Sequence, residues 1–187
     1  PGQLQDTCTV LDVGCGMGNL LEALHARKPG WRLFGADISD ANRERILSIG
    51  GVEGFYSADL SDIPMKFDLI FLSHVLEHVP DPARLVRSCA RLAKHGGSVL
   101  FSTINRTARS FATAIVGAEY LSGLVPRGTH RYSQLVRPSE LDAWGRKAGL
   151  TLRSLRGGSY NPASRVFRLT DDPAINFFAH FRNGSGP

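Results

Sequence analysis

The sequence predicts an α/β fold built on a doubly wound, mostly parallel sheet, and three features point to it. Short apolar runs alternate with helical patterns along the first hundred residues, the order expected of a parallel sheet covered by helices on both faces. The first run, residues 10–13, ends in three glycines at alternate positions, Gly14, Gly16 and Gly18, and an amphipathic stretch follows. An acid, Asp37, closes the second run 19 residues beyond Gly18, which is what one helix and a return strand require.

The elements follow in order. Residues 10–13 form a strand, and Leu20, Leu21 and Leu24 keep helical spacing until Lys28-Pro29-Gly30 stops them. Residues 31–36 form the second strand, 42–49 a short helix and 54–57 the third strand, with Asp59 at its tip. Residues 67–73 are nearly all apolar, so this fourth strand is central. Asp81-Pro82 supplies an N-cap and an N1 proline to a helix that buries Leu85, Val86, Cys89 and Leu92, and residues 94–97 end it. Residues 98–102 are the fifth strand. The alternation then breaks: residues 107–125 are a long apolar helical run with a single acid, Glu119, flanked by Arg106, Arg109, Arg127 and Arg131. A helix over 138–148 follows, and the weak alternation of 150–181 predicts two final strands.

With 187 residues, 42% hydrophobic and 21% charged, one domain with a sizeable core is expected over 1–183, followed by a flexible tail at 184–187. The opening Pro1-Gly2, so close to the first strand, leads to the expectation that an N-terminal segment is missing. Cys8, Cys15 and Cys89 have no CxxC spacing, which argues against a disulfide framework and a structural zinc site. The net charge of +5 favours acidic partners, but no Lys/Arg run of five and no basic–aromatic patch occurs, so nucleic acid is not expected. No apolar span reaches 18 residues.

Two nucleotide cofactors use a strand–glycine turn–helix unit. A nicotinamide site wants G-x-G-x-x-G, with a pyrophosphate on the helix N-terminus. Here Asn19 stands where the third glycine would be, and Asp12 inside the strand repels a pyrophosphate but suits a cation. S-adenosylmethionine carries a sulfonium and an ammonium and has no phosphate. Asp12, Gly14, Gly16 and Gly18 therefore read as its cradle and Asp37 as the anchor of its ribose diol. Asp59 reads as an adenine contact or a helix N-cap, and Ser73, ending the fourth strand, as a further contact or a plain strand terminus.

Residues 10–18, Asp37 and Leu76-Glu77-His78-Val79 resemble class I S-adenosylmethionine methyltransferases. Residues 102–107, 115–120 and 125–130 with Tyr160-Asn161-Pro162 are more specific and are similar to the O-methyltransferases of ubiquinone biosynthesis, which act on polyprenylated catechols and demethylubiquinol. The resemblance covers nearly the whole chain. It implies a Rossmann-like seven-stranded sheet with an antiparallel last strand and an inserted apolar helix after strand 5. It places cofactor contacts on Gly14, Asp37 and Ser73. It also implies an N-terminal cofactor-binding arginine that this chain lacks.

Family members carry Glu-x-x-Glu-His after the fourth strand and are linked to a divalent cation there. Here the first position is His74, leaving Glu77 and His78 as matches. A His74, Glu77, His78 set suits zinc or manganese better than magnesium. Such a cation would lower the pKa of a phenol, ordinarily about 10. The alternative is a histidine base, with His74, His78 and His130 as candidates and His78 and His130 taken as catalytic. The run 107–125 reads as a helix packed over the sheet as a lid or, being too short to span a bilayer, as an interfacial helix whose flanking arginines meet anionic headgroups. The resemblance thus implies a polyprenylated phenol substrate and peripheral attachment to a membrane, the bacterial inner membrane or the mitochondrial matrix side, beside other ubiquinone-biosynthesis proteins. Two rival expectations are a class I methyltransferase with another small acceptor, and a catalytically silent lipid- or cofactor-binding protein.

Overall fold

A computed structural model describes residues 6–57, 59–110, 132–161 and 166–184. Five strands, β1 (Thr9–Val13), β2 (Arg32–Ala36), β3 (Val52–Tyr56), β4 (Phe67–Ser73) and β5 (Ala93–Ile104), run parallel in the order β3-β2-β1-β4-β5. The C-terminal part adds β6 (Leu150–Asn161), β7 (Val166–Thr170) and β8 (Asn176–Asn183), which continue the sheet as β5-β8-β6-β7 with antiparallel pairing at each step. The sheet therefore has eight strands where seven were expected, because residues 150–181 give a hairpin and a return strand rather than two strands. The antiparallel last strand and the mostly parallel, doubly wound frame stand as expected.

Two separate cores lie on the two faces of the sheet, as period-2 alternation requires. On β1, Val10 enters the core that holds Leu33, Phe55, Leu21, Ile46 and Ile49. Leu11 and Val13 enter the other, with Phe34, Ile70, Leu72, Val86, Cys89 and Phe181. Helices α1 (Asn19–Arg27) and α2 (Arg43–Leu47) cover the first face; α3 (Pro82–Leu92) and α5 (Pro138–Lys147) cover the second and touch each other. Asp81 caps α3 as its sequence promises, its Oδ1 accepting the Arg84 N–H at 2.8 Å, with Pro82 following at N1. Of the predicted core face of that helix, Val86, Cys89 and Leu92 are buried and Leu85 is partly so.

β5 begins at Ala93, five residues before the predicted start. Lys94-His95-Gly96-Gly97 therefore does not simply end the helix: Gly96 turns the backbone at φ +72°, and the strand continues through it. Of the run 107–125, a short helical turn α4 (Ala108–Ser110) is seen, and residues 111–131 lie outside the described residues. The turn is fastened to the approach to β8, where the Thr107 hydroxyl donates to the Ala174 carbonyl at 2.6 Å and Arg109 pairs with Asp172 at 2.7 Å. Among the described residues no helix is long and apolar enough to cross a membrane.

Candidate cofactor and active site

The strand order reverses direction at β1, which has β2 on one side and β4 on the other. In an open α/β sheet ligands settle outside the carboxyl ends of the strands at such a switch point. Every predicted cofactor residue sits at or just past one of those ends: Asp12 near the end of β1 and the glycines after it, Asp37 after β2, Asp59 after β3 and Ser73 as the last residue of β4. A cavity of about 520 Å³ opens there, and Gly14, Asp37, Asp59 and His78 line it together with Val13, Ile38, Ser57, Val75 and Val79.

The three glycines have positive φ, +73°, +52° and +83°, but they face different neighbours. A Cβ on Gly14 would lie 2.4 Å from Val75 Cγ2, and one on Gly18 would lie 2.6 Å from Ile49 Cδ1. A Cβ on Gly16 would meet nothing within 4 Å. So Gly14 and Gly18 let the turn close onto the protein, and of the three it is Gly14 that lines the cavity, the Gly16 N–H being taken by Asp37. That divides the reading in which all three glycines face the ligand.

Asp37 holds this turn in place. Its Oδ2 accepts the Gly16 N–H at 2.9 Å and its Oδ1 accepts the Ser39 N–H at 3.2 Å. A carboxylate has about four lone-pair sites, so acceptor capacity for a diol is retained. Asp12 is 2% exposed beneath the turn. Burial, reinforced by the charge of Asp37, pushes its pKa up to about 7. A cationic ligand group nearby would reverse that cost.

Asp59 is a cap. Its Oδ1 accepts from both the N–H and the hydroxyl of Ser61 at 2.9 Å, across the 3-10 turn Leu60–Asp62, and its Oδ2 takes Arg84 Nη2 at 2.7 Å. These bonds, the Ser61 N–H foremost, hold its carboxyl below the usual range. It lines the cavity all the same. Ser73 shares a 3.0 Å hydrogen bond with the Ser102 hydroxyl and ends β4 beside the turn.

The segment after β4 departs from its expected form. The spacing of His74, Glu77 and His78 would put all three side chains on one face of an α-helix. Instead His74 takes a left-handed backbone, φ +55°, and Leu76–His78 form a 3-10 turn. Glu77 is turned inward with 1% of its side chain exposed. Its Oε1 meets His74 Nδ1 at 2.9 Å and its Oε2 accepts the Thr103 hydroxyl at 2.7 Å. Burial, the largest influence, pushes the Glu77 pKa up. The bonds from His74, from its own backbone and from Thr103 outweigh it, and the carboxyl is held below the usual range. His78 points the other way and lines the cavity. Among the described residues no group of three His, Cys, Asp or Glu side chains is arranged to hold a metal ion. The residues present thus do not fit a His74, Glu77, His78 cation site, because Glu77 is turned into the protein while His78 lines the cavity. His130 lies outside the described residues.

Sequence reasoning missed Val13, Ile38, Ser57 and Val75. Ile38 is 99% exposed at the cavity mouth, and its only signal was an apolar residue directly after the acid of β2.

A family model described as a methyltransferase domain matches residues 2–155. The chain is 47% identical over 184 residues, 93% of its length and 73% of the relative's, to a ubiquinone biosynthesis O-methyltransferase of Alkalilimnicola ehrlichii. It is 44% identical to one from Methylococcus capsulatus, covering 92% of this chain and 75% of that one. Among solved structures it resembles the magnesium protoporphyrin IX methyltransferase of Synechocystis with bound SAH (TM-score 0.67, 18% identity, 95% of this chain and 74% of that chain). It also resembles a SAM-dependent methyltransferase of Methanosarcina mazei (TM-score 0.69, 15% identity, 96% and 94%). At those identities the structural likeness establishes the fold.

Proposed function

The chain belongs to the family of ubiquinone biosynthesis O-methyltransferases, and on that premise we propose that it transfers a methyl group from S-adenosylmethionine to a hydroxyl of a polyprenylated catechol or quinol. The observation that carries this reading is the single cavity that joins Gly14, Asp37 and His78 at the carboxyl ends of β1, β2 and β4. The cofactor, when bound, supplies a methyl group on a positively charged sulfur. The cavity-lining Gly14 and the buried acid Asp12 beneath the turn suit a ligand with a cationic amino-acid end, and Asp37 suits its ribose diol.

The chain's own residues would then do three things. The rigid turn fixes where the methyl lies, which converts the transfer into an intramolecular step of set direction. His78 offers an imidazole on the cavity wall to take the hydroxyl proton as the new C–O bond forms. Val13, Ile38 and Val75 give the cavity apolar walls that limit water. No step is assigned to a divalent cation, since Glu77 is buried away from the cavity that His78 lines; activity that survives chelation agrees with this, and loss on chelation restored by one metal would reinstate the cation.

We also place the enzyme at a membrane surface, where such a substrate resides. The support is β7, the last strand of the sheet among the described residues, with Val166, Phe167 and Leu169 exposed at 42%, 47% and 62%. The test of the reaction is labelled methyl transfer to a prenylated catechol: transfer only to unrelated acceptors rejects the substrate, and no cofactor binding by calorimetry rejects the enzyme.

A further inference from the structure

A second cleft, of about 230 Å³, lies on the α3–α5 face of the sheet between the Val79–Pro80 loop and the N-terminal half of α5. Its walls are Val79, Pro80 and Pro82 on one side and Leu135, Val136 and Trp144 on the other, with Gln134 at the rim. Val79 belongs to this cleft and to the larger cavity alike. The first turn of α3 contributes to both, Leu85 to the cavity and Pro82 to the cleft. Both openings therefore sit at the same end of the sheet, side by side.

The chemistry of the cleft is specific. Aliphatic, proline and indole surfaces line it, and the charged groups are Arg106 and Glu140, which pair with each other. The pair is anchored on both sides, since the Arg106 N–H donates to the Val136 carbonyl and Glu140 Oε2 accepts the Arg137 N–H at 2.9 Å. A balanced ion pair gives no net attraction for an anion. It does offer donors and acceptors in one place to neutral hydroxyls on an aromatic ring. A cavity of about 150 Å³ is enough to hold benzene, so this volume admits a phenolic ring with a first branched alkenyl unit. Trp144 and the two prolines supply flat surfaces for such a ring.

We propose that this cleft is the acceptor subsite: it holds the first isoprene unit and the far edge of the neutral dihydroxy ring, with Trp144 against the ring and the Arg106–Glu140 pair at the hydroxyl that is not methylated, while the reacting hydroxyl reaches past Val79 into the larger cavity toward His78. The assignment rests on the methyl-transfer reading above, and the experiment separates the two. In a Trp31→Phe background, Trp144 is the sole tryptophan, since the chain has two. Titration with a catechol bearing one isoprene unit should then change its emission saturably. Pro80→Phe and Gln134→Phe fill the cleft from opposite, exposed walls. Each should remove the emission change and raise the acceptor KM by about tenfold or more, while calorimetric affinity for S-adenosylmethionine stays within about twofold. An unchanged emission and unchanged KM in both filled variants, with the wild-type chain still methylating the catechol, overturns the cleft and leaves the reaction standing. A saturable emission change without turnover supports the cleft and rejects the reaction.

Discussion

β1 is buried along all five of its residues, whereas β7, at the opposite part of the sheet, exposes four of its five. The two strands typify two halves of the molecule. The half from β1 to β4 is parallel, walled by both cores, and presents its strand ends to the cofactor cavity. The half from β5 to β8 turns antiparallel, ends at β7 among the described residues, and borders the cleft through α5. On the proposed assignments, donor recognition rests on backbone held by rigid packing, and acceptor recognition on side chains carried by elements nearer the surface. Substitutions in the first half should damage cofactor binding and stability together; those in the second should separate the two.

The sharpest way to break the comparison is at Gly14. Gly14→Val adds a β-branched side chain where φ is +73° and where a Cβ would strike Val75. Strain and overpacking together should cost about 3 kcal/mol, read as a lower urea midpoint, and calorimetric cofactor affinity should fall by about 100-fold or more. Retained affinity would mean that the turn is not the cofactor cradle. Glu77→Ala should follow in size. It strands the Thr103 hydroxyl and the His74 ring, and loss of a buried charged acceptor costs about 2–3 kcal/mol. Because the folded pKa of Glu77 is depressed, its contribution is present above the unfolded carboxylate value and is lost as pH falls through the folded one. The gap between wild type and variant should accordingly close in acid.

Asp37→Asn should weaken the cofactor by about 10-fold to 100-fold with little loss of stability, since an amide oxygen still accepts the Gly16 N–H. Asp12 gives a prediction of the opposite sign. Its folded pKa is raised to about 7 from an ordinary 3.8, so the free protein loses stability as pH climbs through that interval and carries the full penalty above it. Asp12→Asn should therefore stabilise the cofactor-free protein by a few kcal/mol at pH 8 and hardly at all at pH 4, on the order set by the shift. Wild-type cofactor affinity should rise with pH up to about 7, as the carboxylate facing a cationic ligand forms, and the variant should lose that rise.

The same division decides how much could be read in advance. β1, β2 and β4 are short apolar runs buried on both faces, so their pattern is unambiguous, and Gly14, Gly16, Gly18 and Asp37 follow from spacing alone. The residues after Leu150 mix Arg153, Ser154, Arg156 and Gly157-Gly158 into a single strand of twelve, and nothing local marks it as continuous. Gly158 is tolerated because its missing side chain leaves room for Phe167 and Phe178, a tertiary reason invisible along the chain. The His74, Glu77, His78 set came from the resemblance to a motif, and no residue along the chain signals that a left-handed His74 leaves Glu77 buried and His78 on the cavity. Val13 and Val75 went unassigned since an apolar residue at a strand end reads equally as core.

The smallest expected effect lies on β7. Leu169 is 62% exposed and Arg168 is its exposed neighbour, so Leu169→Glu removes little buried area. Its urea midpoint should move by less than about 0.5 kcal/mol, and cofactor affinity should not move. A leucine kept on the last described strand nevertheless exposes apolar surface where soluble edges usually place charge. If β7 meets lipid, the acidic variant should lose co-sedimentation with anionic vesicles while the thermodynamics of the folded chain stay the same. Unchanged co-sedimentation would remove β7 from the membrane contact, leaving residues 107–125 to account for it. A drop in stability would instead show that the edge is packed against this chain, and the contrast between the two halves would weaken with it.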